Sequence, residues 1–552
     1  MNKFTKAIKP VLSVLMVVAV ILLSAPVTLT SAAGPWYVKE GGNDSLSCLS
    51  PAAACGTLNG VISKASPGDI IRVAIGTYTG SGTEVVHVAK NLIFSGGWNA
   101  DFSDTTGLST IDAESARRGV VIQGSTVSMS RFIIENGVYN DAAGILATGQ
   151  LTLNRTIVRN NTNNGDWTSE GGGIRTITNL SIYNSTIQNN LSPSGAGIFN
   201  TFGTLTIVNS TISGNVATGG GGGINNLGGN VITNNVTITG NQDSAAGGGI
   251  HNEGGGTVTL KNTILAGNSS NFANDCNGTI GTAGYNLIGD TSNCGFTPAT
   301  GDLVNISAQL DDLKDNGGPT PTHALMSSSP AIDAGNPLLG SCDCIDQRGT
   351  SRPVDGDQDG TATCDIGAFE YVPPTFPDVP WEHWAVDYVE AIYNAGLTSG
   401  YPDGTYRPEN QVTRAEMAVF LINAMGITPS TPDGSHPFSD IAGHWAEAFI
   451  EELYDQGVTG GYPDGTYRPE NLVTRAEMAV FLLNSLGFSP DPINGSHPFS
   501  DIAGHWAEAF IEELFDRGIT GGYPDGTYRP ENLVTRAEMA VFLVNAFTIP
   551  LP

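Results

Sequence analysis

The stretch GGGINNLGGNVITNNVTITGN, residues 221–241, decides the fold. A glycine phrase leads into a strand-like run that ends in Asn241, and three similar stretches flank it: GGGIRTITNLSIYNSTIQNN at 171–190, GAGIFNTFGTLTIVNSTISGN at 195–215 and GGGIHNEGGGTVTLKNTILAGN at 247–268. The glycine phrases close on Ile174, Ile198, Ile224 and Ile250, so successive spacings are 24, 26 and 26 residues, the mark of a repeat architecture. Aligning the terminal Asn190, Asn215, Asn241 and Asn268 stacks Leu180, Leu205, Val231 and Val258 in one apolar column and Ile187, Ile212, Ile238 and Leu265 in another. Alternation of apolar and polar residues gives each short strand one buried face. The expected fold is an all-β solenoid, a right-handed parallel β-helix. A third column, Asn184, Asn209, Asn235 and Asn262, is expected to hydrogen-bond from rung to rung and to adopt the left-handed backbone of a corner. The glycine phrases lack the Lys-Ser or Lys-Thr and the following helix of a phosphate loop, and the Asp of calcium-binding nonapeptides, so they read as corners.

Upstream, TLNGVISKASPGDIIRVAIGTYTG at 57–80 reads as a short helix followed by strands. It is similar to the opening of secreted parallel β-helix proteins, where such a helix caps the coil, as solenoid ends require. Further upstream, Lys3, Lys6 and Lys9 precede an apolar run at 11–25, and Ser31, Ala32 and Ala33 supply small residues for cleavage. This is the pattern of a signal peptide over 1–33. The run is shorter than the roughly 20 residues a membrane helix needs, so export is expected, with no membrane span after cleavage. Export permits disulfides. Proximity pairs Cys48 with Cys55, Cys276 with Cys294 and Cys364 with Cys344, with Cys342 competing for the last bond. A chain of 552 residues implies several domains, and 53 acidic against 24 basic residues, a net charge of −29, argues against nucleic acid as a partner.

The C-terminal third repeats too: Trp384, Trp445 and Trp506 stand 61 residues apart. In the second copy Trp445, Phe449, Ile450, Leu453 and Tyr454 share one face of an expected amphipathic helix, stopped by Gly457. A second helix starts at TRAE, where Thr474 and Glu477 form a capping box and Ala476, Val480 and Leu483 continue an apolar face. Between them Arg475, like Arg414 and Arg536, puts a cation in the first turn, against the macrodipole, at about 0.3–1 kcal/mol. Two partners can offset this: a bound anion, above all a carboxylate held bidentately, or a neighbouring acidic side chain. The tryptophans read as core packing and Asp378, Asp440 and Asp501 as helix caps, with ligand contact as the alternative for both.

Two resemblances extend these readings. NLIGD, DNGGPTPTHAL, SPAIDAGNP, DQRGTSRPVDGDQDG and CDIGAFEY, between 286 and 371, closely resemble the choice-of-anchor Q domain, which follows parallel β-helix repeats in exported bacterial proteins and implies architecture more than activity. Within it Asp355, Asp357 and Asp359 precede Gly360 in a D-x-D-x-D-G run able to wrap Ca²⁺. Ile366 at the twelfth position has no ligand oxygen, which leaves Asp365 as substitute; a solvated acidic turn is the alternative. The three C-terminal copies, each with GYPDGTYRP and TRAE, resemble the S-layer homology (SLH) domain. That resemblance implies an all-α, pseudo-threefold bundle binding anionic, commonly pyruvylated, cell-wall polysaccharide, with contacts from Asp378, Trp384 and Arg414, from Asp440, Trp445 and Arg475, and from Asp501, Trp506 and Arg536. The first copy departs, with FPDVPWEHW and SGYPDG. The implied organisation is a signal peptide at 1–33, a β-helix with N-terminal cap at 34–279, a Q-like domain at 280–371 and SLH repeats at 372–428, 436–488 and 497–548.

Many β-helices are polysaccharide lyases or hydrolases, which need acids, bases or metal ligands on one face. Residues 176–242 hold no Asp, Glu, Lys, Arg or His. His251 and Glu253 lie in the last rung, and Asp112, Glu114, Arg117 and Arg118 cluster early, without a matched acid and base; GxSxG, HExxH and Walker motifs are missing. The expectation is a secreted protein anchored non-covalently at the cell wall or S-layer surface. Its β-helix would be structural, adhesive or glycan-binding, gripping an external glycan through exposed Asn, Thr and aromatic residues. The rival reading is a cell-wall-anchored polysaccharide lyase or hydrolase.

Overall fold

The computed structural model describes residues 35–552 apart from Trp167, Leu339, 433–435 and 494–496; the expected signal peptide lies outside the described residues. Residues 36–304 form a parallel β-solenoid. An eight-stranded parallel sheet takes one strand from each coil, from Glu84–Val88 through Ile174–Thr176, Ile198–Thr201, Ile224–Leu227 and Ile250–Glu253 to Cys276–Asn277. A larger sheet carries two strand columns per coil, such as Leu180–Tyr183 and Thr186–Gln188, which merge into the single strands Thr204–Ser213 and Asn230–Thr239. A third sheet of two-residue strands closes the coils.

Both apolar columns pair in register, Leu180 with Leu205, Val231 and Val258, and Ile187 with Ile212, Ile238 and Leu265. All eight side chains are buried in one continuous core. Coil stacking also explains the glycine phrases. A Cβ on Gly223 would lie 2.6 Å from the Gly249 carbonyl oxygen, and one on Gly197 would lie 2.4 Å from that of Gly223; here backbone touches backbone, and only glycine fits.

The third column differs from expectation. Asn184, Asn209, Asn235 and Asn262 do take left-handed corners, with φ of 48°, 45°, 54° and 46°, but they do not bond one another. Asn209 donates to Asp343 and to the Ile345 carbonyl, and Asn235 to the carbonyls of Asp365 and Gly367. The ladder runs instead through the terminal asparagines. Asn161 donates to Asn190, Asn190 to Asn215, Asn215 to Asn241 and Asn241 to Asn268, each at 2.8–2.9 Å, and Asn268 ends the chain on Asp275. Their amides point into the coil, where a buried polar group must be paired.

At the N-terminal end α1 (Leu58–Lys64), capped by the Thr57 hydroxyl, lays Leu58, Val61 and Ile62 on the solenoid core. At the other end coil pairing crosses residue 280 without a break, Ile264 pairing with Leu287 and Leu287 with Leu303. The chain then folds back along the coils. Gln347 bonds Thr186 and Thr211, His323 bonds Ser213, and the Ala368 amide donates to Thr237. This covers the Thr186, Thr211 and Thr237 column. Cys48–Cys55 and Cys276–Cys294 are bridged as expected, whereas Cys364 bonds Cys342 and leaves Cys344 free and exposed. The Cys344 carbonyl accepts the Arg352 amide beside the Ile345–Ser351 bridge.

The C-terminal repeats contribute three helix pairs: α2 (Val386–Asn394) and α3 (Arg414–Ala424), α4 (Glu447–Asp455) and α5 (Arg475–Ser485), α6 (Glu508–Asp516) and α7 (Arg536–Phe547). The first helix of each copy packs on the second helix of another: α2 on α7, α4 on α3, α6 on α5. At the centre Val412 donates to Val534, Val534 to Val473 and Val473 to Val412 through backbone amides at 2.9–3.0 Å, a closed triangle. Among the described residues no helix is long and apolar enough to cross a membrane.

Candidate functional site

Each TRAE start is capped as its sequence demands: Thr413, Thr474 and Thr535 accept from the third-position amide, and Glu416, Glu477 and Glu538 reach back to the cap amide. The arginine inside that box finds its carboxylate within the protein. Arg414 Nη1 reaches Glu477 at 3.2 Å, Arg475 reaches Glu538 at 3.1 Å and Arg536 returns to Glu416 at 3.0 Å. Nε of the same three donates to the carbonyls of Tyr467, Tyr528 and Tyr406, whose hydroxyls donate back to the arginine carbonyls. The guanidinium of Arg414 also lies 4.7 Å from the Tyr467 ring and 4.9 Å from that of Tyr462. One of the two offsets open from sequence, a neighbouring acidic side chain, is in place, and it comes from another copy.

The tryptophans stand elsewhere than the expected core. Trp384, Trp445 and Trp506 are 60–63% exposed, each ahead of its helix. The helix starts later because His444 Nδ1 accepts from the Ala446 amide and Glu447 reaches back to the Gly443 amide, fixing a turn at Trp445. Of the residues placed on that face, Ile450 and Leu453 are buried and Tyr454 is half exposed. A histidine ring lies beside each indole, at 5.8, 5.5 and 5.5 Å, and its Nε2 meets Glu409, Glu470 or Glu531.

Asp378, Asp440 and Asp501 do not cap helices. Each carboxylate accepts two successive amides of the GTYRP loop, as Asp440 does from Tyr467 and Arg468 at 2.8 and 2.7 Å. That fork holds Arg407, Arg468 and Arg529 in left-handed backbone, φ 58–60°, a conformation a non-glycine residue keeps only when pinned. Sequence reasoning passed over these three arginines, although GTYRP recurs as faithfully as TRAE. Their side chains are exposed, lie over Tyr401, Tyr462 and Tyr523 at 3.9–4.0 Å and pair with Asp403, Asp464 and Asp525. Hydrogen bonds from Thr405, Thr466 and Thr527, then from the arginines, bring those carboxyls down to about 2.

The expected calcium ligands divide. Asp355 and Asp357 converge, joined by Asp333, with one oxygen of each within 4.8 Å of the others. Asp359 turns to the Thr361 amide. Asp365 is buried elsewhere, accepting from the Asp333 and Tyr371 amides beside the Arg352–Glu370 ion pair; burial and the Glu370 charge push its carboxyl well above the usual range. On the coil, Arg117 pairs with Glu114 and Arg118 donates to the Asp141 and Ala142 carbonyls. Asp243 and His251 each keep a buried polar atom without a hydrogen-bond partner among the described residues, and burial raises the Asp243 carboxyl.

Comparison with known proteins fits this geometry. The S-layer homology domain model matches residues 375–418, 437–479 and 498–540, so the chain carries three copies of that domain. The cell surface glycoprotein 1 of Acetivibrio thermocellus is 43% identical over 26% of this chain and 7% of its own length. The cellulosome-anchoring protein of the same organism is 39% identical over 28% of this chain and 35% of its own length. The S-layer protein of Bacillus licheniformis is 32% identical over 31% and 19%. The chain thus spans about a third or less of the length of these relatives. Together the repeats and these relatives indicate a location at the cell-wall surface. A crystal structure of pectate lyase Pel9A aligns over 62% of this chain and 97% of its own at 17% identity and a TM-score of 0.34, a likeness that says nothing about chemistry here.

Proposed function

We propose that the three SLH repeats form a pseudo-threefold bundle that attaches the protein non-covalently to an anionic, pyruvylated cell-wall polysaccharide. Exported and cleaved after residue 33, the protein displays a non-catalytic, right-handed β-helix finished by a choice-of-anchor Q segment. The observation that carries this is the exposure of one indole per copy, Trp384, Trp445 and Trp506. A large aromatic face left in water at three equivalent places is a binding surface for the apolar face of a sugar. The arginines Arg414, Arg475 and Arg536 act as ties between copies beneath that surface, while Asp378, Asp440 and Asp501 shape the loop that borders it. Asp333, Asp355 and Asp357 are the ligands we assign to Ca²⁺, in place of Asp359 and Asp365. On the body, Phe202 and Phe272 are the exposed aromatics among the described residues, and both are available to an external glycan.

Sedimentation with purified wall polysaccharide tests the anchor. Replacing the three tryptophans by Ala is expected to cut bound protein at least tenfold with helix content unchanged, and removing pyruvyl groups by mild acid to do the same to the wild type. Full co-sedimentation of the folded triple variant rejects the assignment. The rival reading, a wall-anchored lyase or hydrolase, rests on Asp243 and His251. It requires product release from a polysaccharide panel that Asp243→Asn abolishes.

A further inference from the structure

The second and third repeats carry a feature the first lacks. His436 Nδ1 lies 2.8 Å from Glu447 Oε1 and 3.0 Å from Glu451 Oε1; His497 Nδ1 lies 2.8 Å from Glu508 Oε1 and 3.2 Å from Glu512 Oε1. The two glutamates of each set are four residues apart on α4 or α6, so they share a helix face. The histidine arrives from the connection that precedes its repeat. In the first copy, which has one more residue between its Phe-x-Asp start and its tryptophan, the equivalent positions are Pro374, Val386 and Glu390, and Glu390 is instead hydrogen-bonded by Thr375.

One imidazole nitrogen can hand a proton to one acceptor, yet two carboxylate oxygens converge on it. The consequence is visible at Glu508, which is 3% exposed and whose Oε1 has no hydrogen-bond partner among the described residues. Its other oxygen accepts the Gly504 amide at 2.7 Å, as that of Glu447 accepts Gly443, so the free oxygen is aimed at the cluster by a fixed support. A cation shared by all three donors satisfies what a proton cannot. A cavity of about 570 Å³ opens beside His436 and Glu451 and leaves room for a fourth, exchangeable ligand.

We propose that these two clusters are binding sites for a divalent transition ion of the zinc class. One imidazole and two carboxylates with an open position is a donor set zinc accepts, and bonds of about 2.0–2.2 Å around a tetrahedral ion put donors roughly 3.3 Å apart. The histidine-to-carboxylate distances of 2.8–3.2 Å need to widen by only a few tenths of an ångström, and all three donor atoms of each cluster already lie within 4.8 Å of one another. The Gly443 and Gly504 amides supply the outer-shell support that orients metal ligands. Bound metal fastens the connection between repeats onto the helix that follows it, at the second and third copies only.

The experiment uses the full chain, stripped with a chelator, equilibrated with zinc chloride and dialysed, with metal content read by mass spectrometry. The His436→Gln/His497→Gln variant is expected to hold two zinc ions fewer than wild type, and each single variant one fewer. Equal zinc content in wild type and a folded double variant overturns the proposal. Should the histidine variants not fold, Glu451→Gln/Glu512→Gln is read the same way. X-ray absorption of zinc-loaded wild type needs no variant: an imidazole and oxygen shell supports the assignment, and a shell dominated by sulfur or lacking imidazole overturns it.

Discussion

Arg475→Ala tests whether the TRAE arginines hold the repeats to one another. The substitution removes the 3.1 Å pair with Glu538, the 2.7 Å bond to the Tyr528 carbonyl and the contacts with the Tyr523 and Tyr528 rings. Breaking a buried ion pair from one side costs about 3–5 kcal/mol. Here the lower end applies, because the Glu538 side chain is 19% exposed and keeps the Thr535 amide and the Tyr523 hydroxyl. Relief of the unfavourable helix dipole returns about 0.3–1 kcal/mol, which leaves a net loss of about 2–3 kcal/mol. At roughly 2–4 °C per kcal/mol for a unit of this size, the helical transition should fall by about 5–10 °C, read by circular dichroism at 222 nm during heating. Arg475→Lys keeps the charge but not the fork that serves two acceptors, so an intermediate fall is expected. A Tm within about 1 °C of wild type for Arg475→Ala would refute the inter-repeat tie and return the arginine to the role of an anion site.

Gly223→Ala places a Cβ 2.6 Å from the Gly249 carbonyl oxygen, a backbone atom that cannot swing aside. The solenoid transition should lose about 1–3 kcal/mol in calorimetry. Asp275, at the end of the asparagine ladder, has its carboxyl raised by burial to about 6. The native state therefore binds its proton more tightly than the unfolded chain, and the stability this confers is complete below about pH 4 and lost as pH rises through about 6. Moving from pH 7 to pH 5 should add about 1 kcal/mol to the solenoid, and Asp275→Asn should remove that increment. Under native, non-reducing conditions a maleimide should label Cys344 alone, one equivalent per chain, as peptide mass spectrometry would show; labelling at Cys342 would contradict the bridge to Cys364.

How much of this was legible beforehand depended on how local each cause was. The capping boxes were readable because their partners sit three residues apart. The partner of Arg414 sits 63 residues away and that of Arg536 lies 120 residues back, and no periodicity within one copy points there. The tryptophans were misplaced because a helical period was extended upstream past the turn held by His444 and Glu447. The His436 and His497 clusters escaped notice because they join the residue entering each repeat to a helix that begins eleven positions later.

By itself, the sequence determined the solenoid and its buried columns, since in a stack of coils a residue's neighbour is the residue one period away and the repeat is already the contact map. It determined the three helical copies for a similar reason: capping, helix periodicity and glycine stops act within a turn or two. Only the tertiary structure decided which asparagine column faces inward, which cysteine takes Cys364, what covers the threonine face of the coils and where each arginine finds its carboxylate. Those outcomes depend on the path of the backbone through a corner or between copies, where a change of one residue redirects a side chain from core to solvent.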